Sequence, residues 1–315
     1  MSRKSKMSST TIKSEKFDDY DYEASFNQNL KNLSESFIDS IFRNKHTGVN
    51  YAVKTITSGN LFEVEIYPYF KSSRDLPKGI VKRGESSEVQ RNLNDKNSRK
   101  RLRRLVHNNF GPGDYWVTFT FKDEDLPGGF EDLKKIRKNF FARLNRYRKK
   151  KGLENARYIY IEEEGTYGTE RYHIHMVLDG DLTKEEIESK WKHGRVNIRT
   201  INYQGDNTLL GLCNYLVKDP EVYKKTAFRT KGKREWGSSK GNLKLPTPRV
   251  NKSHDKFNKK KVNYMARNHN SVEEMMESAY PNYYFKEAEL RYNQENGLFY
   301  IYVIMHDKRN TKARR

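Results

Sequence analysis

The segment RYHIHMVLDG, residues 171–180, carries two histidines inside an otherwise apolar run. Successive side chains of a β-strand point to opposite faces of a sheet, so His173 and His175 share one face and the apolar residues share the other. A divalent-metal site accounts for this pair, and two half-exposed histidines at a sheet edge are the alternative. The pattern predicts a strand with one buried face and one face that carries both imidazoles.

The preceding predicted strand, YIYIEEE at residues 158–164, supplies a carboxylate for such a site. Strand alternation selects Glu163, and a slip of one residue would place Glu162 or Glu164 there instead. Two imidazoles and one carboxylate with open positions suit Mg²⁺, Mn²⁺ or a transition metal that acts as a Lewis acid. The sequence therefore predicts a divalent metal, Mg²⁺ or Mn²⁺, on this face.

A second candidate group lies on the predicted helix DNTLLGLCNYLVKDP, residues 206–220. Gly211, Tyr215 and Lys218 share one face of this helix. A tyrosine hydroxyl can act as a covalent nucleophile, and a lysine one turn further on can stabilise the phenolate or protonate a leaving group. A packed surface tyrosine is the alternative, since the chain contains 21 tyrosines.

The composition of the 315-residue chain points to a nucleic-acid partner. The formal net charge is +21, and such a balance favours binding to a polyanion, with generic surface basicity as the alternative. The single cysteine, Cys213, excludes intramolecular disulfides and cysteine-based zinc sites. No run approaches the roughly 18 apolar residues of a membrane span, and the N-terminal residues lack the apolar region of a secretory signal. We therefore expect a cytoplasmic protein without a membrane partner.

The order of predicted elements defines a fold class. From residue 114 onward the patterns read strand, helix, strand, strand, helix, strand and helix, and this order predicts a mostly antiparallel α+β sandwich. The strands predicted at 60–70 and 283–305 either extend the central sheet or form a small side sheet. Residues 1–48 are predicted to be a flexible polar arm with one helix over 26–42.

The remaining boundaries follow from the same patterns. We expect one folded domain at 49–308 with a functional core at about 114–222, and a basic tail at 309–315. Dense basic faces on the helical segments 96–104 and 134–151, with Tyr and Trp nearby, fit phosphate contacts and base stacking along single-stranded nucleic acid. Solvated helix faces are the alternative for these two segments.

Three motifs in order carry a resemblance to a known family. The segments WVTFTF (116–121), YHIHMVL (172–178) and NYLVKDP (214–220) resemble the three motifs of the HUH nucleases. Among these, the chain is most similar to rolling-circle replication initiators (Rep proteins) of the single-tyrosine type, carried by phages and plasmids of Gram-positive bacteria. The flanking segments YIYIEEEG, WKHGRVNIR and GNLKLPTP are similar as well. The resemblance extends over about residues 60–308.

The resemblance implies an HUH-type nicking domain with a central antiparallel sheet, and a metal-dependent endonuclease and strand-transferase activity. His173 and His175, with an acidic partner, would hold Mg²⁺ or Mn²⁺ against the scissile phosphate. Tyr215 would attack that phosphate, leaving a 5′-phosphotyrosine link and a free 3′-hydroxyl, and Lys218 would assist. The implied substrate is single-stranded DNA or a hairpin extruded at an origin.

Partners and alternatives follow from the same resemblance. No P-loop motif occurs in the sequence, so a replicating element would use a host helicase and polymerase. The same chemistry could serve a transposase or a conjugative relaxase. A non-catalytic nucleic-acid-binding protein with structural histidines is the alternative from another functional class. The sequence favours no particular oligomeric state.

Overall fold

Two antiparallel sheets and the helices around them form the part of the chain that the computed structural model describes. The described residues are 28–29, 34, 36, 50–69, 87–163, 171–203, 209–217, 236–253, 255–293 and 297–309. The strands are β1 (Gln28–Asn29), β2 (Asn50–Ser58), β3 (Leu61–Tyr69), β4 (Tyr115–Phe119), β5 (Tyr158–Glu163), β6 (His173–Leu178), β7 (Val196–Thr200), β8 (Gly237–Ser238), β9 (Arg249–Asn251), β10 (Tyr283–Asn293) and β11 (Leu298–Asp307). The helices are α1 (Ser87–Asn109), α2 (Phe130–Lys150), α3 (Lys184–Glu188), α4 (Leu210–Val217), α5 (Lys259–Arg267) and α6 (Ser271–Ala279), with a 3₁₀ turn at Asp123–Asp125.

The central sheet has five strands in the order β7-β4-β6-β5-β8, and every neighbouring pair is antiparallel. Strand β6, which carries both histidines, is the middle strand of this sheet. The element order from β4 to α4 agrees with the predicted one, and the α+β class is confirmed. Within the described residues, no helix combines the length and the apolar character needed to cross a membrane.

Helix α2 covers the face of the central sheet opposite the histidines. The apolar stripe predicted for this helix packs against alternate residues of β4 and β6; the buried members include Leu133, Phe140, Leu144, Phe119, Ile174 and Met176. Gly152 ends the helix with φ of +73°, and its N–H and that of Leu153 bond to the carbonyls of Lys149 and Arg148. The exposed cations of α2 therefore point away from the histidine face, contrary to a role beside it.

Helices α1 and α4 cover the histidine face itself. Their buried apolar residues pack on Ile159, Ile161 and Val177, which alternate with the apolar residues of the other face; they are Leu102, Leu105, Val106, Phe110, Leu209, Cys213 and Leu216. This burial is what the period of 3.6 residues predicts for α4. Helix α4 thus lies across the sheet face that carries the imidazoles.

The opposite face of α1 contacts the second sheet through charged side chains. Arg104 Nε donates to Glu63 of β3 at 2.7 Å, and its Nη2 donates to Glu65 at 3.1 Å. The side chain of Glu63 is fully buried, so it depends on this partner for compensation of its charge. Helix α1 is therefore held between the two sheets by apolar contacts on one side and ion pairs on the other.

Three basic residues of α1 are internal contacts and do not form a solvent face. Lys100 Nζ lies 3.4 Å from Glu65, and Arg103 Nη1 lies 3.4 Å from the Tyr302 hydroxyl. Burial by itself would raise the pKa of Glu65, but nearby cations, Lys100 foremost, lower it to about 2. The expectation that Lys100, Arg103 and Arg104 follow a DNA backbone is wrong, because the sequence does not show that carboxylates of β3 face them.

The terminal strands form a separate six-stranded sheet in the order β1-β10-β11-β3-β2-β9. Its predicted members, β3 and the β10–β11 hairpin, are confirmed. One face packs against α5 and α6 through a core that includes Phe62, Val64, Val262, Met265, Met276 and Val303. The terminal strands thus build their own layer beside the central sheet.

Several elements differ from the sequence-based expectation. Strand β2, α5 and α6 are not predicted, although a two-residue turn at Gly59 and Asn60, with Gly59 at φ of +54°, is a typical hairpin signal. Helix α3 ends at Glu188 and not at Gly194. Gly194 instead allows close approach, because a β-carbon there would lie 2.3 Å from the Thr120 carbonyl oxygen.

The N-terminal prediction falls largely outside the described residues. Gln28 and Asn29 pair with Tyr292 and Arg291 of β10, so the helix predicted over 26–42 is wrong at its start. Most of the predicted arm at 1–48 and of the tail at 309–315 is not described. The domain limits therefore stay predictions.

A buried ion pair connects α2 to the end of β6 and yields a stability prediction. Arg148, 2% exposed, donates to Asp179 at 2.7 Å and to Asp181 at 2.6 Å. Arg148→Ala leaves the buried Asp179 without its cation, and we expect a loss of about 3–5 kcal/mol in the free energy of unfolding, measured by urea denaturation. The control Lys149→Ala, at an exposed neighbour, should cost about 0.5 kcal/mol or less. Equal effects of the two substitutions would contradict this.

Candidate metal and tyrosine site

The pairing of the central strands brings the predicted ligands together. Glu163 of β5 lies directly opposite His173 of β6, and His175 lies opposite Ile161 on one side and Thr118 of β4 on the other. Directly opposed residues of antiparallel strands project to the same face. Glu163, both histidines and Thr118 therefore share the face that α4 crosses.

Three side chains form the only cluster of potential metal ligands found among the described residues. Glu163 Oε2 lies 3.1 Å from His173 Nε2 and 3.7 Å from His175 Nε2. All donor atoms of the cluster lie within 4.8 Å of one another. The two imidazole rings are nearly perpendicular, with an interplanar angle of 85° and centroids 4.8 Å apart. The cluster can therefore present two nitrogens and one oxygen to a single ion.

The other ring nitrogens of the two histidines contact groups that orient the rings. His173 Nδ1 lies 3.4 Å from the Arg171 carbonyl oxygen, and His175 Nδ1 lies 3.0 Å from Thr118 Oγ1. A carbonyl oxygen accepts only, so His173 Nδ1 is the protonated nitrogen and its Nε2 presents a lone pair to Glu163. Such outer hydrogen bonds set the tautomer and direction of metal-binding imidazoles.

Of the three candidate carboxylates, Glu163 is the one that contacts the histidines. Glu162 points to the opposite face of the sheet, where its Oε1 accepts from Arg137 Nε at 2.6 Å. The Arg137 guanidinium also stacks over the Tyr160 ring, 3.9 Å from its centroid. Glu164 lies outside the described residues. Strand alternation thus selects the same carboxylate that the sequence favours.

Tyr215 extends from α4 onto the cluster. Its hydroxyl lies 3.2 Å from His175 Nε2, and its ring meets the His175 ring edge-on, with centroids 5.3 Å apart. Gly211, one turn earlier, is exposed, and a β-carbon there would meet nothing within 4 Å. Lys218, the other predicted member of this face, lies outside the described residues.

Trp116 and Thr118 of β4 belong to the site and are absent from the predicted set of site residues. The Trp116 ring is nearly parallel to the His175 ring, at 7° with centroids 5.4 Å apart, and meets Tyr215 at 89°. Alternation in WVTFTF places both residues on one face of β4. Local sequence does not show which strand β4 pairs with, so their contact with His175 requires the structure.

The donor set fits a divalent cation. Two imidazole nitrogens and one carboxylate oxygen on one wall of the site leave positions open for substrate oxygens. The side chain of His173 is 26% exposed, that of Glu163 is 12% exposed and that of His175 is 9% exposed, so the cluster is partly accessible from solvent. This arrangement is compatible with a divalent metal that contacts a substrate.

Residues 114–220 match a family model described as a replication-associated protein of the ORF2 type. The matched stretch begins just before β4 and extends beyond α4, so it contains the three clustered ligands, Trp116, Thr118 and Tyr215. No curated protein and no solved structure matches the chain. The family match supports a role in replication initiation and a nucleic-acid partner.

Proposed function

We propose that this protein is a rolling-circle replication initiator that nicks and rejoins single-stranded DNA through Tyr215. One observation carries the proposal: the Tyr215 hydroxyl lies 3.2 Å from His175 Nε2, within a His–His–Glu cluster and inside the stretch that matches a replication-associated family. Nucleophile and metal ligands thus meet at one point of the sheet face. The resemblance of the three motifs to single-tyrosine HUH nucleases agrees with this assignment.

The proposed reaction is a transesterification at one phosphodiester. The Tyr215 oxygen attacks phosphorus, the bond from phosphorus to the 3′-oxygen breaks, and the departing 3′-hydroxyl takes up a proton. The products are a 5′-phosphotyrosine link and a free 3′-hydroxyl that can prime synthesis. Attack of a 3′-hydroxyl on the phosphotyrosine reverses the step and rejoins the strand. The number of phosphoester bonds is conserved, so nicking and rejoining need no nucleotide cofactor.

Each residue of the site has a proposed task. His173, His175 and Glu163 would hold Mg²⁺ or Mn²⁺, which would supply Lewis-acid stabilisation of the charge that develops on the phosphate. The hydrogen bond to His175 places the Tyr215 hydroxyl beside the cluster before substrate binds. Lys218 is proposed to stabilise the phenolate or to protonate the leaving oxygen.

The edge of the central sheet offers a path for a single strand of DNA toward the cluster. Asn197 and Arg199 of β7 lie opposite Thr118 and Trp116, on the histidine face, and both are exposed. An arginine and an amide beside an aromatic ring suit phosphate contacts and base stacking. We propose that the scissile strand, single-stranded or in an extruded hairpin, enters over β7, and that host helicase and polymerase continue replication.

The test uses the full chain and single-stranded oligonucleotides that together cover the DNA element encoding it. With Mn²⁺ or Mg²⁺, we expect one oligonucleotide to be cut, with its 3′ fragment attached to the protein in a form that survives denaturation. A polymerase should extend the other fragment, because it ends in a free 3′-hydroxyl. The products are followed by denaturing gel with labels at either end.

Other outcomes would favour other functions. Cutting at the ends of a mobile element in place of an origin would indicate a transposase, and cutting at a transfer origin a relaxase. Tight DNA binding without cleavage, retained when His173→Ala and His175→Ala are combined, would indicate a non-catalytic binding protein. Any of these results would overturn the assignment as a replication initiator.

A further inference from the structure

His107 is a buried histidine near the end of α1 that lies outside the metal cluster. The residue is 5% exposed, and its ring contacts the start of α4, the helix that carries Tyr215. Its Nε2 accepts a hydrogen bond from the backbone N–H of Leu209 at 3.0 Å, across 102 residues of sequence. Its Nδ1 lies 2.8 Å from the Arg103 carbonyl oxygen. One imidazole therefore joins two helices.

Both backbone contacts of the ring require the same protonation state. The Arg103 carbonyl oxygen only accepts, so His107 Nδ1 carries a proton, and the Leu209 N–H only donates, so Nε2 carries none. A single neutral tautomer satisfies both backbone groups at once. A side chain that only donates, such as lysine or arginine, cannot replace it.

The Leu209 N–H belongs to a part of α4 that needs outside partners. The Leu209 carbonyl accepts from Cys213 N at 2.9 Å, so Leu209 precedes the first helical residue. Backbone N–H groups at this end have no partner within the helix. Helix α4 contains 8 residues, and a helix this short is marginal without tertiary contacts. The place of its first turn therefore depends on contacts such as the one with His107.

The end of α1 is itself held from two sides. A β-carbon on Gly59 would lie 2.2 Å from the His107 carbonyl oxygen, so the β2–β3 turn packs directly on this residue. The Asn109 side chain donates to the Lys244 carbonyl and accepts from the Lys244 N–H, both at 2.8 Å. His107 thus projects toward α4 from a backbone that is fixed by the terminal sheet and by the segment around residue 244.

We infer that His107 is a positioning residue for Tyr215: by binding the Leu209 N–H, it fixes where α4 begins and therefore where the tyrosine hydroxyl lies relative to the metal cluster. Tyr215 is six residues further along the helix, about 9 Å of rise. A tilt at the first turn moves its hydroxyl relative to His175. This inference rests on the proposed role of Tyr215 as the nucleophile.

The test compares two substitutions that differ in reach. His107→Gln can place its carbonyl oxygen near the position of Nε2 and accept from Leu209. His107→Asn keeps a donor for the Arg103 carbonyl but is too short to reach Leu209. We expect the Asn variant to cleave roughly 10- to 100-fold more slowly in single turnover at saturating DNA, with the half-saturating DNA concentration unchanged, and the Gln variant to recover most of the rate.

A second readout is independent of catalysis. Hydrogen exchange of the amides at 209–213 should be about tenfold faster in His107→Asn than in the wild type, and near the wild-type rate in His107→Gln. The control His269→Leu, at the α5–α6 connection, should change neither exchange nor cleavage. Exchange separates a local effect on α4 from a general loss of stability.

Several results would overturn the inference. They are equal cleavage and exchange in the Asn variant and the wild type, or an Asn variant that unfolds while the Gln variant is native, which would make His107 a residue of overall stability. A lower fraction of active protein with an unchanged rate constant would also contradict positioning. If the wild type forms no adduct at all, the proposed function fails, while exchange still decides whether His107 holds α4.

Discussion

Tyr215→Phe is expected to abolish the covalent protein–DNA adduct. Phenylalanine lacks the oxygen that would attack phosphorus but keeps the ring, so the edge contacts with His175 and Trp116 are retained. Loss of the nucleophile in an otherwise intact site costs at least roughly 10³-fold in rate. The measurement is the yield of denaturation-resistant adduct from the cleaved oligonucleotide in the presence of Mn²⁺.

Tyr203→Phe is the matched control for this substitution. Tyr203 is half-buried and packs against the apolar cluster under α1 and α4. Its loss of a hydroxyl should leave adduct yield unchanged. DNA binding by Tyr215→Phe should remain at the wild-type level, because the substitution removes no charge. Full adduct formation by Tyr215→Phe would show that another residue is the nucleophile.

Removal of one metal ligand is expected to have the second-largest effect. Glu163→Gln removes the charge that faces both histidines but preserves the shape of the side chain. We expect Mn²⁺ affinity, measured by calorimetry or by electron paramagnetic resonance, to fall at least tenfold. Adduct formation should fall roughly 10²-fold or more at fixed Mn²⁺, since a carboxylate is needed to balance the ion's charge. Excess Mn²⁺ should restore part of the rate.

Glu162→Gln is the control, because it changes the neighbouring carboxylate on the opposite face of the sheet. Glu162 binds Arg137 at 2.6 Å, so this substitution should affect stability and leave Mn²⁺ affinity unchanged. The reverse outcome, with metal affinity lost in Glu162→Gln and kept in Glu163→Gln, would place the ligand on the other face. That result would contradict the strand register on which the site is built.

The parts of the fold that the sequence predicts are those with a strong local period. The alternation in WVTFTF and YHIHMVL, and the helical stripe of 130–152, are set by which residues each segment buries. Those three segments, with α4, already bring His173, His175 and Tyr215 to one face. The candidate site is therefore largely visible in the sequence.

The parts that the sequence does not predict depend on contacts between distant segments. Arg104 is a surface cation by composition, and only the pairing of α1 with β3 shows that it faces the buried Glu63. The same holds for Trp116 and Thr118, whose relation to His175 is set by the β4–β6 register. His107 is a lone histidine at the end of a basic helix, and its bond to Leu209 joins segments that are far apart in the chain.

Peptide mapping of the covalent adduct tests the central claim most directly. The wild-type protein is reacted with the cleaved oligonucleotide and Mn²⁺, digested with nuclease and protease, and examined by mass spectrometry for a nucleotide-bearing peptide. We predict a single peptide, carrying its nucleotide through a 5′-phosphate ester on Tyr215. A nucleotide on any other tyrosine, or cleavage that leaves a free 5′-phosphate and no modified peptide, would contradict the account.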